Sequence, residues 1–99
     1  MSSRELPLVS VIVPVYNRAK LIAECLDSIL GQDWPRLETV VVDDGSTDGT
    51  ADLVAERYRG RVRLVRQENA GPAAARNAGF RASTGPFLAM MDSDDLMTP

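Results

Sequence analysis

Histidine is absent from this sequence, and cysteine occurs only once. Without histidine, the chain has no imidazole to act as a general base or to ligate zinc. The lone Cys25 excludes an internal disulfide and a thiolate metal cage, and its place in a helical pattern predicts a small buried core residue.

Long apolar runs and a large charge excess are missing too. No stretch approaches the roughly 20 apolar residues of a membrane helix, and the N-terminus has no secretory signal pattern, so a cytoplasmic location is expected. The net charge of −3 argues against nucleic acid as the main partner. A chain of 99 residues with 44% hydrophobic content predicts a single domain over residues 1–99.

Short apolar runs alternate with helical segments along the chain. The runs predict strands at residues 8–15, 37–42, 62–65 and 86–91. The intervening segments predict helices at residues 19–30, 49–58 and 73–82. Because parallel strands need crossovers of this length, and because crossovers are right-handed, a doubly wound sheet follows. The predicted fold is α/β: a Rossmann-like, three-layer α/β/α arrangement with about four mostly parallel strands and three to four helices.

Every predicted strand ends in polar residues. In an open parallel sheet, ligands bind beyond the carboxyl ends of the strands, so these ends predict one shared crevice. The four ends are residues 14–18, 43–46, 67–71 and 92–95.

The last of these ends carries three carboxylates, Asp92, Asp94 and Asp95. Crowded carboxylates resist burial unless water, a cation or a hydrogen-bond donor faces them. In an extended stretch, residues two apart face the same side, so Asp92 and Asp94 can converge on a hard cation such as Mg²⁺ or Mn²⁺. The alternative is a solvated loop in which Asp95 caps a following helix.

The second acidic end, at residues 43–46, has a structural and a functional interpretation. Structurally, Asp43 can cap a turn, Gly45 can take a positive φ, and Ser46 or Thr47 can cap the next helix. Functionally, Asp44 can accept a hydrogen bond from a ligand, such as the imide N–H of a pyrimidine. The two aspartates are adjacent, which argues against the phosphatase pattern D-x-D-G-T, and the lysine that a response regulator needs on a late strand is absent.

Two further residues are candidates for the crevice. Tyr16 offers a flat face for a base, although a turn capped by Asn17 is the alternative. Arg76, among small helical residues, can face phosphates or form a surface salt bridge. Neither G-x-G-x-x-G after the first strand nor a G-K-S/T pair is present, which excludes ordinary Rossmann dehydrogenases and P-loop NTPases. A nucleotide would therefore bind through a metal rather than a glycine nest.

In order and spacing, these motifs resemble the N-terminal half of family 2 glycosyltransferases, which have the GT-A fold. The matching segments are VSVIVPVYNRA, LDSILGQ, VVVDDGSTDGT, ENAGPAAARNAG and GPFLAMMDSDD. The resemblance implies a nucleotide-diphospho-sugar donor, with a UDP-sugar favoured, and a Mn²⁺ or Mg²⁺ cofactor. It also implies transfer with inversion to a sugar, lipid or polysaccharide acceptor in the full enzyme.

The resemblance also implies roles for individual residues on the nucleotide side. Pro14, Val15 and Tyr16 would border the base, and Asp44 would bond to it. Arg76 lies at the family's A-R-N motif and would approach the ribose or the diphosphate.

Asp92 and Asp94 match the family's D-x-D motif. By that resemblance, Asp94 would ligate the metal, Asp92 would contact the ribose or reach the metal through water, and Asp95 could substitute as a ligand. The family's general base lies in an acceptor-side half beyond these motifs, so no catalytic residue is assigned here.

A truncated GT-A fold, inactive alone, is therefore expected. It would leave an exposed sheet edge or hydrophobic face that two copies could share, and the full-length enzyme could lie at the inner face of the membrane. One alternative is a non-enzymatic nucleotide-binding module. Another, a nucleotidyltransferase, would need a glycine-rich basic loop after the first strand, which this sequence lacks.

Overall fold

The computed structural model describes residues 6–34 and 36–92, which form one four-stranded sheet and three helices. In chain order the elements are β1 (Val9–Val15), α1 (Ile22–Leu30), β2 (Leu37–Asp43), α2 (Thr50–Arg57), β3 (Arg63–Arg66), α3 (Pro72–Ala82) and β4 (Phe87–Met90). All strand pairs are parallel, in the order β3-β2-β1-β4. The predicted α/β class and the alternation of strands and helices are confirmed.

Helices cover the two central strands from both sides. On one side, Val11 and Val13 of β1 pack in a cluster that includes Cys25 and Leu26 of α1. On the other side, Ile12 packs with alanines of α3. Because β1 has a helical layer on each face, its side chains are apolar at successive positions, and the doubly wound, three-layer prediction is confirmed.

Helix α3 lies close to the sheet because it presents small residues to it. Ala75, Ala78 and Gly79 are its buried positions. A methyl group at Gly79 would overlap Cγ2 of Ile12 and lie 3.3 Å from Cγ2 of Val42. The close packing sets the height of α3 above the sheet, and with it the position of the pocket-lining side chains that α3 carries.

The predicted cap of α2 is wrong. Neither Ser46 nor Thr47 caps the helix; instead, Asp48 Oδ1 accepts a hydrogen bond from the N–H of Thr50 at 3.0 Å. Ser46 Oγ accepts from the N–H of Asn17 at 2.9 Å, and the N–H of Thr47 donates to Asn17 Oδ1 at 2.8 Å. Both residues therefore join the loop after β2 to the loop after β1, a contact between distant segments that local cap statistics do not include.

Strand β4 lies at one edge of the described sheet. Phe87, Leu88 and Met90 are exposed, at 55%, 49% and 43% of their surface. The apolar strand was predicted, and the structure shows that much of it faces outward in this part of the chain. Among the described residues, no helix combines the length and the apolar character needed to cross a bilayer.

Candidate functional site

A cavity of about 680 Å³ opens at the carboxyl ends of the strands, beside the start of α3. All the residues predicted to bind the nucleotide line it: Pro14, Val15, Tyr16, Asp44, Arg76 and Asp92. They come from β1, β2, β4 and α3 and their following loops, so the parallel sheet brings together residues that are far apart in sequence. Arg18 and Asn69, to which the sequence analysis assigned no role, line the same cavity.

Tyr16 stands exposed at the mouth of this cavity because the chain turns sharply after it. Asn17, the next residue, has φ of 51°, in the left-handed region that asparagine tolerates. The side chain of Asn17 does not cap α1, since its Oδ1 accepts the N–H of Thr47. The loop after β1 is therefore fixed to the loop after β2, and it presents the ring of Tyr16, 45% exposed, to the cavity.

Asp44 is buried at the end of β2 and has four hydrogen-bond donors on its carboxylate. Oδ1 accepts from Gln67 Nε2 at 2.8 Å and from the N–H of Ala70 at 2.9 Å. Oδ2 accepts from the N–H of Gly71 at 3.0 Å and from Asn69 Nδ2 at 3.3 Å. Burial raises the pKa of this carboxyl, but the bonds from Gln67, Ala70 and Gly71 outweigh it, so the pKa lies below its ordinary value. Asp44 is therefore ionised at neutral pH.

The neighbouring Asp43 has the structural role that its sequence context allowed. Its Oδ2 accepts from the N–H of Ser46 at 3.0 Å, which closes the turn after β2. Its Oδ1 is buried without a hydrogen-bond partner in the described part of the chain. The turn interpretation of Asp43 is confirmed.

Gly45 lets two loops meet. Its φ of 81° confirms the predicted positive value, and a Cβ there would lie 2.8 Å from the backbone N of Asn69. A larger residue would thus push apart the loop after β2 and the loop after β3. The sequence signal for this contact is the polar Gln67-Glu68-Asn69 run before Gly71, which predicts a strand end but does not indicate what its amides bond to.

The basic side chains at the cavity differ in their contacts. Arg76 is exposed. The ion pairs found within residues 6–34 and 36–92 join Arg57 with Asp27 and Arg66 with Asp52. Within these residues, the alternative that Arg76 forms a surface salt bridge therefore has no support. Arg18 Nη1 donates to the carbonyl of Asn17 at 3.2 Å. Arg76 is therefore available to an anionic ligand in the cavity.

Asp92 lies exposed at the end of β4, on the cavity wall. Its backbone carbonyl accepts a bond from Cys25 Sγ at 3.6 Å, which ties this end of the chain to α1. Cys25 itself is fully buried, as predicted. The other predicted metal ligands, Asp94 and Asp95, lie outside the described residues. Within the described ones, no group of three or more potential metal ligands is assembled.

The family model and the relatives of known sequence agree on one protein family. The model for "Glycosyl transferase family 2" matches residues 10–99. Chondroitin synthase of Escherichia coli is 40% identical over 98 residues, which cover 97% of this chain and 14% of that protein. The putative glycosyltransferase EpsH of Bacillus subtilis is 42% identical over 97 residues, covering 96% of this chain and 28% of EpsH. The chain thus spans less than a third of the length of these relatives.

Solved structures match the fold as well. A mannosyltransferase, PcManGT from Pyrobaculum calidifontis, solved with GDP-Man and Mn²⁺, superimposes with a TM-score of 0.86 at 43% identity, over 96% of this chain and 30% of that one. Residues 1–349 of S. aureus TarS in complex with UDP give a TM-score of 0.82 at 42% identity, over 90% of this chain and 28% of that one.

Proposed function

Because the chain belongs to glycosyl transferase family 2, we propose that it forms the part of a glycosyltransferase that binds a nucleotide-diphospho-sugar donor. The observation that carries this proposal is the cavity at the carboxyl edge of the sheet, which is lined by all six residues predicted to bind the nucleotide. Nucleotide complexes of two structural neighbours, with GDP-Man and with UDP, support it. A UDP-sugar is the favoured donor.

The chemistry of the cavity suits a nucleotide. Tyr16, with Pro14 and Val15 beside it, offers apolar and aromatic surface for a base. Arg76 supplies a guanidinium that forms no ion pair with the residues that the structure describes, and its planar donors match the oxygens of a diphosphate. Asp44 contributes a buried carboxylate to the lining of the same cavity.

We propose that Asp92 and Asp94 hold a Mn²⁺ or Mg²⁺ ion. Carboxylate oxygens are the ligands these cations prefer, and Asp92 presents an exposed carboxylate on the cavity wall, which fits such a site. When bound, the ion would neutralise the negative charge of the diphosphate leaving group. A neighbour that contains Mn²⁺ with its sugar nucleotide supports this assignment.

In the complete enzyme, we propose that a sugar, lipid or polysaccharide hydroxyl attacks the anomeric carbon opposite the nucleotide, with inversion. A general base must take the proton of that hydroxyl. The described cavity offers none, because Asp44 has a donor at each lone-pair position and Asp92 belongs to the proposed metal site. We propose that the base belongs to the acceptor-side part of the full enzyme, so that this chain alone would bind the donor without turning it over.

Calorimetric titration tests the donor and metal assignments together. UDP is expected to bind weakly with Mn²⁺ present, and to bind more weakly without the metal or to an Asp94→Ala variant. Glu56→Ala, which removes an exposed carboxylate from α2, is the charge-matched control and should bind like the wild type. Equal UDP binding in all conditions would contradict the metal site, and no binding of UDP or GDP in any condition would contradict donor binding.

We also propose that two copies associate through the exposed apolar side of β4. Phe87 and Leu88 carry the largest exposed apolar fractions among the described residues. Light scattering would test this association, with Leu88→Lys expected to give monomers; a monomeric wild type would contradict it.

Fractionation of the full-length protein would test the predicted cytoplasmic location, with the inner face of the membrane as the alternative.

A further inference from the structure

The carboxylate of Asp44 belongs to the loop after β2, but its hydrogen-bond donors among the described residues all belong to the loop after β3. We propose that Asp44 is a positioning residue, which holds the 67–71 segment and the start of α3 in their binding arrangement before any nucleotide arrives. The effect on nucleotide affinity rests on the proposed function; the effect on the segment itself does not.

The first argument is the saturation of the carboxylate. A carboxylate has about four lone-pair positions, and those of Asp44 receive four donors from residues 67–71. The longest of these bonds, 3.3 Å, comes from Asn69 Nδ2, which also donates to the Asp44 backbone carbonyl at 3.0 Å. A donor on a base could reach Asp44 only by replacing one of these partners. In the free protein, the carboxylate therefore stabilises its own chain.

The second argument is the place where the bonds end. The N–H of Gly71, which donates to Asp44 Oδ2, belongs to the residue directly before α3, and Gly71 O accepts the first helical bond, from Ala75 at 3.1 Å. Gly71 has φ of 97°, a conformation that glycine adopts without steric penalty but that its flexible backbone must be restricted to reach. Arg76 follows about one turn later and lines the cavity. Asp44 thus fixes the entry into the helix that carries Arg76.

The third argument is steric. Gly45, the residue after Asp44, lies against the backbone of Asn69, so close that a Cβ would not fit. The two loops are therefore in contact at two successive residues, one through hydrogen bonds and one through packing. This arrangement is specific to a carboxylate at Asp44, because an amide would turn an N–H₂ group toward backbone N–H donors.

Amide NMR on the free protein provides the first test. The N–H protons of Ala70 and Gly71 should shift together on acidification, with an apparent pKa below 3.8, because both are bonded to the titrating Asp44 carboxylate. Amide exchange at Gly71 should be faster by about tenfold or more in Asp44→Asn, since bonds to a charged group contribute strongly. Unmoved shifts, or exchange within twofold of the wild type, would overturn the proposal.

Gln67→Ala separates positioning from direct contact with the ligand. Gln67 donates to Asp44 Oδ1 at 2.8 Å but does not line the cavity. If Asp44 acts by positioning, this variant should bind UDP about threefold more weakly and exchange Gly71 faster, a loss at the low end for a hydrogen bond because the other three bonds to the carboxylate remain. Unchanged UDP affinity and exchange would count against positioning, and this variant keeps the test decisive if Asp44→Asn fails to fold. Glu56→Gln serves as the control.

A wild type that binds no nucleotide would refute the proposed function alone, because the exchange measurements on the free protein would still report on the 67–71 segment.

Discussion

Replacing Gly79 with alanine should destabilise the protein, although alanine is the better helix former. In an exposed helix, Gly→Ala gains about 1 kcal/mol. At Gly79, however, the new methyl group would overlap Cγ2 of Ile12 and press on Val42, and both are fully buried β-branched residues of the central strands. Their χ1 angles are restricted, so α3 must move away from the sheet, and overpacking of this kind costs about 1–3 kcal/mol. The expected net loss is about 1 kcal/mol in the free energy of unfolding.

Urea unfolding followed by circular dichroism would measure this loss. Ala73→Gly, at an exposed position in the first turn of the same helix, is the control and should cost no more than about 1 kcal/mol, through helix propensity alone. In an Ile12→Ala background, the overlap disappears, so Gly79→Ala should become neutral or stabilising. If Gly79→Ala stabilises the wild-type protein by the full helix-propensity gain, the close approach of α3 to the sheet is incorrect.

Three further predictions follow from the described contacts. Arg76→Ala should weaken UDP binding by about tenfold, the loss expected for a hydrogen bond to a charged phosphate, while the circular dichroism spectrum stays unchanged. If calorimetry gives an unaltered dissociation constant, Arg76 does not contact the nucleotide. Burial raises the pKa of Glu38, but hydrogen bonds from Thr84 and Ser10 outweigh burial, so the pKa lies below its ordinary value of 4.5. The ionised Glu38 therefore stabilises the fold fully above pH 4.5, and this stabilisation is lost as the pH falls through the lowered pKa. Urea midpoints measured from pH 6 to pH 3 should therefore fall less steeply in Glu38→Gln than in the wild type. Burial and the bond to Asp27 raise the pKa of Tyr58 to about 12. In a Tyr16→Phe background, where Tyr58 is the remaining tyrosine, phenolate absorbance should therefore appear only in strong alkali, and a titration midpoint near 10 would contradict that environment.

Most of the fold was predictable from local patterns. Apolar runs and helical stripes placed every strand and helix, because the residues that a parallel sheet buries on both faces must be apolar at successive positions. Helix starts were less predictable. Helix α1 begins at Ile22 rather than Ala19, since the backbone N–H groups of Leu21 and Ile22 both donate to Arg18 O in a preceding turn. The cap of α2 was mispredicted because Ser46 and Thr47 bond to Asn17 across the loops.

The candidate site was predictable in its location and in most of its residues, but not in how those residues bond. Polar strand ends identified Tyr16, Asp44 and Asp92, since the carboxyl ends of parallel strands must share one edge. Arg76 was identified separately, as a basic residue among the small residues of α3. Nothing in the local sequence indicated that Asp44 would be saturated by the loop after β3. Arg18 was likewise missed, because its place in the cavity depends on the turn that follows β1.

The sequence by itself determined the α/β class, the order of elements, the family and the edge of the sheet at which a ligand would bind. These properties depend on periodicity, chain order and short motifs, all of which are local or strictly sequential. Only the tertiary structure decided that Asp44 bonds to residues 67–71, that Gly79 brings α3 against the sheet, and that Ser46 and Thr47 join loops instead of capping α2. Each of these depends on the distance between segments that are far apart in the chain. Whether a hydrogen bond or a steric contact forms depends on distances of tenths of an ångström, which a linear sequence pattern does not encode.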